Sequence, residues 1–159
     1  MIYKKNRFLK RFFCGILKHN LFTNNMIKTY LLTYLASLIT FVIIDGIWLA
    51  FVAQNFYQKH IGHLLAPQVN FFSAVLFYLL FLVAIIVFCV SPAIEKNSLF
   101  TALTLGAFFG LITYATYDLT NWATLKDWPV IVVIVDMLWG AFIASLISLV
   151  GYITWRSLS

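Results

Sequence analysis

The stretch Tyr114-Ala115-Thr116-Tyr117-Asp118-Leu119-Thr120-Asn121-Trp122 decides how the rest of the chain must be arranged. It closes an apolar run that begins near Leu99 and has the length of a membrane crossing. A carboxylate, an amide and two threonines at the end of such a run are costly in hydrocarbon, so other segments must hold them. The surroundings are strongly apolar: 63% of the 159 residues are hydrophobic, 10% are charged, and mean hydropathy is +0.94. Soluble domains carry about 45–50% apolar and about 25% charged residues. The composition is that of an integral membrane protein, and the length is that of one domain.

Outward from this stretch, four apolar segments run over 28–53, 70–91, 99–122 and 128–155. Each reaches about 20 residues, enough for a hydrocarbon core of about 30 Å. Lipid offers no partner for free backbone groups, so each segment must be a helix. The short connections at 92–98 and 123–127 force antiparallel neighbours. The expected fold is therefore all-α, an antiparallel four-helix membrane bundle over residues 26–159.

Ahead of it lies a basic prelude over residues 1–25, in which Lys4, Lys5, Arg7, Lys10, Arg11 and Lys18 alternate with apolar pairs such as Phe8-Leu9 and Phe12-Phe13. Two readings stand side by side. The prelude is an amphipathic helix on an anionic leaflet, or translation starts at Met26. A secretory signal fits less well, because the following apolar run is too long and contains Asp45. The formal charge of +6 is gathered beside apolar helices, which argues against a nucleic-acid partner. Nine Lys/Arg fall on the side of the termini, and only Lys59 and Lys126 on the other. Both termini are expected in the cytoplasm. Without the prelude the balance is three (Lys28, Lys96, Arg156) to two. Cys14 and Cys89 lack metal-ligand spacing and imply neither a disulfide framework nor a zinc site.

The carboxylates fall into place on this frame. Asp45, Asp118 and Asp136 all lie about 6–12 Å below the non-cytoplasmic surface at 1.5 Å per residue. Asp136, Gly140, Ala144, Ser148 and Gly151 form one helical stripe, and Gly106, Gly110, Tyr114, Asp118 and Asn121 form another. Small residues at this spacing let helices approach closely. The acids on these stripes should face inward, since a charge on the lipid side costs at least about 2.5–3.5 kcal/mol. Close, desolvated carboxylates cannot all stay ionised without compensation. Protonation, a bound cation, or a loop bringing down Lys59, His60 or His63 would each compensate. His60 and His63 stand at an i, i+3 spacing open to metal ligation, though interfacial histidines are more often solvated. The segment Phe56 to Leu65 has the pattern of a short helix resting on the membrane surface.

Trp48, Trp122, Trp128 and Trp139, with Tyr57, Tyr114 and Tyr117, fall in the same half of the bilayer. An aromatic belt accounts for Trp122 and Trp128. Trp48 and Trp139 each sit one turn from an acid and suit pocket walls better. Ile44-Asp45-Gly46-Ile47-Trp48-Leu49-Ala50-Phe51-Val52-Ala53 and Val135-Asp136-Met137-Leu138-Trp139-Gly140-Ala141-Phe142-Ile143-Ala144 also match in pattern. That match is either an inverted repeat or chance in a small apolar alphabet.

The Tyr114-Ala-x-Tyr117-Asp118-Leu119-Thr120-Asn121-x-Ala123 string, Trp128-Pro129, Asp136-x-x-Trp139-Gly140, Asp45-x-x-Trp48-Leu49 and Phe56-Tyr57 together carry a likeness. The chain from Met26 onward resembles the bacterial membrane protein family designated domain of unknown function twenty-one seventy-seven. The resemblance implies four helices and an inner-membrane location. It implies no activity, and it leaves residues 1–25 outside its pattern.

Three functions fit these residues. In the first, Asp45, Asp118 and Asp136 are acid–base groups acting on a lipid or lipophilic small molecule held by Trp48, Tyr57, Tyr114, Tyr117, Asn121 and Trp139. In the second, the same acids serve a proton- or cation-coupled transporter; four helices are few for a pore, so this requires a homo-oligomer. In the third, they form a hydrogen-bond network in a non-catalytic assembly protein. No nucleotide, haem or phosphate motif is present, so no cofactor is expected.

Overall fold

The computed structural model describes the backbone from Ile2 and side chains from Asn25 onward. The amphipathic reading of residues 1–25 concerns side chains outside the described residues. All regular structure among the described residues is helical: α1 (Ile2–Trp48), α2 (Gln54–Ile61), α3 (Phe71–Ile85), α4 (Ser91–Glu95), α5 (Leu99–Thr124) and α6 (Val130–Leu158). Four continuous stretches are long and apolar enough to cross a membrane: Asn25–Leu64, Phe71–Glu95, Leu99–Thr124 and Val130–Leu158.

The first stretch departs from expectation. It does not stop at Ala53 but passes through a π turn, Leu49–Ala53, straight into α2. The reason is packing. Ile61, with Phe56 and Tyr57, closes against Trp128, Val132 and Val133 at the start of α6. The segment expected to rest on the membrane surface is thereby a continuation of the first helix. The second stretch also contains a π turn, Ile86–Val90, which joins α3 to α4. Pro92 explains it: proline lacks an N–H and its ring clashes with the carbonyl four residues back. The Ser91 hydroxyl donates to the Ile86 carbonyl at 2.9 Å, so the widened turn loses no bond there.

Side chains set the starts of two helices. Asn70 accepts from the Ser73 N–H and Ser98 from the Thr101 N–H, each at 3.2 Å. Such caps occupy donors that have no partner inside the helix. Asn97 (φ 48°) and Asp127 (φ 57°) turn the chain at two helix junctions, and these are residue types that tolerate the left-handed region. The Tyr152 hydroxyl reaches Asn97 Oδ1 at 3.3 Å and ties the first of these turns to α6.

α5 and α6 form the closest pair. A Cβ added at Gly110 would lie 1.9 Å from the Gly140 carbonyl oxygen, and one at Gly140 would lie 2.3 Å from the Tyr114 ring. Gly106 meets Ala144 to Ser148, so numbers rise along α5 as they fall along α6. α1 lies on α6 through the buried stripe Thr33, Ser37, Phe41, Asp45. Phe41, Leu82, Ile85, Val90, Ile143 and Ile147 fill the centre and are fully buried. Phe51, Phe72, Phe100, Leu138 and many other large apolar side chains point outward. Such a surface suits a hydrocarbon environment and would be an association surface in water.

Candidate functional site

The acids converge at one end of the bundle, the end where α5 turns into α6. Asp118 lies six residues before the end of α5 and Asp136 six residues after the start of α6. That places both about 9 Å from their helix ends. Asp45 joins them from α1. All three are buried: Asp118 is 0% exposed, Asp45 and Asp136 each 7%.

Their surroundings differ. Asp45 is held on both oxygens: the Tyr78 hydroxyl of α3 donates to Oδ2, and Trp139 Nε1 of α6 donates to Oδ1 at 3.3 Å. One carboxylate thus ties three helices. Asp136 accepts from the Tyr57 hydroxyl at 2.5 Å. Asp118 has no hydrogen-bond partner on either oxygen among the described residues. A carboxylate removed from water without partners is among the most expensive arrangements a protein can hold. Asp118 is also within electrostatic reach of Asp136.

Tyr114 occupies the middle of the cluster. Its ring packs on Gly140, and its hydroxyl is within electrostatic reach of Asp45, Asp136 and Asp118. Here the absence of a Cβ at Gly140 makes room for the site. Trp48 and Trp139 stack face to face, with centroids 4.2 Å apart and planes 15° apart. Tyr117 is more than half exposed, lies beside Asn121, and meets Trp128 edge-on at 5.9 Å. The Trp128 Nε1–H is buried and finds no acceptor among the described residues.

A cavity of about 270 Å³ opens beside these groups, lined by Phe77 of α3, Thr113, Tyr114 and Tyr117 of α5, and Asp136 of α6. α3 reaches both neighbours here: Tyr78 bonds Asp45 of α1, and the Phe81 ring lies 6.5 Å from that of Tyr114 of α5. Phe77 and Tyr117 on its lining are half-exposed. An aromatic wall with one carboxylate at the back suits an apolar molecule bearing one polar donor.

The outer segment does not bring Lys59, His60 or His63 to the acids. His60 Nδ1 bonds the Phe56 carbonyl one turn back at 2.8 Å, and Lys59 and His63 are exposed. Because α2 continues α1, the residue of this segment that faces inward is Tyr57. Among the described residues no group of three or more His, Cys, Asp or Glu could hold a metal ion. Sequence reasoning missed Tyr78, Phe77 and Thr113. Tyr78 had a signal, since it is the one hydroxyl-bearing aromatic in an otherwise aliphatic and Phe-rich run.

A family model described as "Predicted membrane protein (DUF2177)" matches residues 30–153. No curated protein and no solved structure matches the chain.

Proposed function

We propose, from the premise that the chain belongs to the DUF2177 family of predicted membrane proteins, that it takes up a lipid or lipophilic small molecule from the membrane. Entry is sideways through the cleft between α3 and α5. The observation that carries this reading is a cavity with Phe77, Tyr114, Tyr117 and Asp136 on its lining, next to which Asp118 follows Tyr117 in the chain, fully buried and with neither oxygen partnered among the described residues. Asp136, with one oxygen engaged by Tyr57, offers the cavity a carboxylate that meets a ligand's donor or positive charge. Tyr114, Tyr117 and Phe77 supply apolar and aromatic contact along the cleft.

In this proposal the bundle is antiparallel and sits in the bacterial inner membrane with both termini cytoplasmic. The site then lies about 9 Å inside the outer surface, at the level of lipid glycerol and upper acyl groups. Asp118 and Asp136 divide the roles. Asp136 is oriented by Tyr57 and Asp118 is free, and two carboxylates in unlike settings are suited to general acid and general base. Asp45 is engaged on both sides and serves as a tie between helices, with Trp48 and Trp139 as the wall beside it.

The test is native mass spectrometry of the protein extracted from its own membrane, with lipid extracts of the producing strain run in parallel. Wild type is expected to retain a defined lipid species that Asp118→Asn loses while still inserting and staying folded. Identical retained lipid in the two proteins would remove the basis of the proposal. A second reading, proton- or cation-coupled transport by a homo-oligomer, is favoured by the buried hydroxyls Thr33, Ser37 and Ser148 in the opposite half. Flux measured in liposomes separates it from the first.

A further inference from the structure

The lining of the 270 Å³ cavity says what kind of headgroup it takes. Three of its five residues, Phe77, Tyr114 and Tyr117, are aromatic, and a fourth is the carboxylate Asp136. The fifth, Thr113, donates its hydroxyl proton back to the carbonyls of Phe109 and Gly110, at 2.9 and 3.1 Å. It therefore turns only acceptor lone pairs to a ligand. Asp136 likewise accepts, and the proton nearest to it is already given by Tyr57. None of the five residues carries a positive charge. Lys59 and Lys126 are exposed to solvent, and His60 bonds its own helix.

A lining rich in acceptors and rings, with no cation of its own, is wrong for a phosphate or a carboxylate. It is right for an ammonium group. The face of an aromatic ring is negative and attracts a cation within about 6 Å of its centroid, most strongly where water is excluded. A carboxylate in apolar surroundings is held as an anion only opposite a positive charge, and an ammonium brings that charge. The rings are supported from behind: Phe77 stacks on Phe81 at 5.3 Å, and Phe81 lies against Tyr114 at 6.5 Å. The volume is below the range of about 300–1,000 Å³ that whole drug-sized ligands need, so the cavity suits one headgroup and leaves the apolar remainder outside.

We propose that the cavity is a cation site for the ammonium group of a membrane-borne amphiphile. Phe77, Tyr114 and Tyr117 form the aromatic wall, and Asp136 is the counter-charge. The inference rests on the reading that this cavity takes up a molecule from the membrane, and it names the charge of that molecule. The same chemistry has two sources, the headgroup of an aminolipid and a free lipophilic cation.

The experiment titrates the full chain in maltoside micelles with hexyltrimethylammonium, and with hexanol and hexanesulfonate as uncharged and anionic controls, followed by NMR of the ligand. Wild type is expected to bind the ammonium at least about tenfold more tightly than either control, with the N-methyl signal moved upfield by ring currents. Asp136→Asn keeps an acceptor for the Tyr57 hydroxyl and is expected to lose at least about tenfold in ammonium affinity, with hexanol binding unchanged. Phe77→Leu keeps an apolar wall without a ring and is expected to lose about threefold to tenfold, with a smaller upfield shift. Equal affinity for hexyltrimethylammonium and hexanol would overturn the proposal. So would ammonium affinity unchanged in both variants when both are folded. Native mass spectrometry of wild type then separates the sources: a retained aminolipid identifies the headgroup, and ammonium binding without retained lipid identifies a free cation. A retained lipid that has no ammonium group, with no preference for hexyltrimethylammonium, leaves lipid uptake standing and removes this inference alone.

Discussion

Asp118→Val is expected to make the protein more stable and less functional at once. The magnitude follows from what surrounds the side chain. It is fully buried and neither oxygen is bonded. A buried polar group left without a partner costs about 1–3 kcal/mol, and more when charged. Valine removes that cost and adds apolar burial worth about 0.8 kcal/mol per methylene equivalent. Its bulk against a tight α5–α6 contact takes back about 1 kcal/mol. The net expectation is a gain of about 1–2 kcal/mol. Asp136→Val gives the opposite sign, because it orphans the Tyr57 hydroxyl now bonded to it at 2.5 Å; the expected loss is about 1–3 kcal/mol. The assay is reversible unfolding of delipidated protein in mixed micelles titrated with denaturing detergent. Delipidation matters, since a ligand that binds only the folded wild type adds its own stabilisation and masks the difference. A loss of more than about 1 kcal/mol on Asp118→Val would mean that Asp118 makes a native stabilising bond, and the reasoning from an unsatisfied acceptor would fail.

Gly110→Ala is expected to cost about 1–3 kcal/mol or more in the same assay, because the new methyl would lie 1.9 Å from the Gly140 carbonyl oxygen. Gly46→Ala, with nothing within 4 Å of the added atom, should instead be neutral or stabilising by up to about 1 kcal/mol. Tyr78→Phe and Trp139→Phe each remove a bond to Asp45 and are expected to cost about 1.5–3 kcal/mol, with a double-mutant cycle showing coupling through the shared carboxylate. Tyr57→Phe leaves Asp136 without its donor; it is expected to weaken lipid retention in native mass spectrometry, while His60→Ala, which bonds only its own helix, should leave retention intact.

The sequence carried the helices and the burial of the acids because both follow from the expense of polar groups in hydrocarbon. Asp118, Asp136 and the glycines at 106, 110 and 140 share faces at helical spacing, and the inward side of each stripe could be read without coordinates. The geometry between helices could not. Periodicity says which face is inward but not which partner it meets, so Tyr78 and its bond to Asp45 stayed hidden. The end of the first helix was misplaced for a related reason. Gln54-Asn55 and the polar pattern after Ala53 resemble a helix end, and only the apolar surface offered by Trp128, Val132 and Val133 keeps the helix going. That continuation moved Tyr57 inward and left the histidines outside. That the hydroxyls of Thr33, Ser37 and Ser148 lack partners among the described residues could not be read in advance, because a hydroxyl's choice between its own helix and the core interior is not encoded in spacing.

The matching Asp-x-x-Trp motifs of α1 and α6 can now be weighed differently. If the match were chance in a small apolar alphabet, the two motifs would have no reason to meet. Instead they face each other: Trp48 stacks on Trp139, and Trp139 donates to the acid of the other motif, Asp45. Tyr57, which bonds Asp136, belongs to the helical continuation of α1 and lies beside Trp48. Each motif therefore depends on the opposite helix for its acid's partner. Two copies of one segment, running in opposite directions and paired across a local two-fold axis, would give this crossed arrangement without further design. In that case the tryptophan stack is the axis, and Asp118, on a helix that carries no copy of the motif, is what breaks the symmetry and makes one side of the pair a site. Exchanging the two motif segments between α1 and α6 should then preserve insertion and the Asp45–Trp139 contact. A swapped protein that fails to fold, while equally large apolar replacements elsewhere on both helices are tolerated, would count against a common origin.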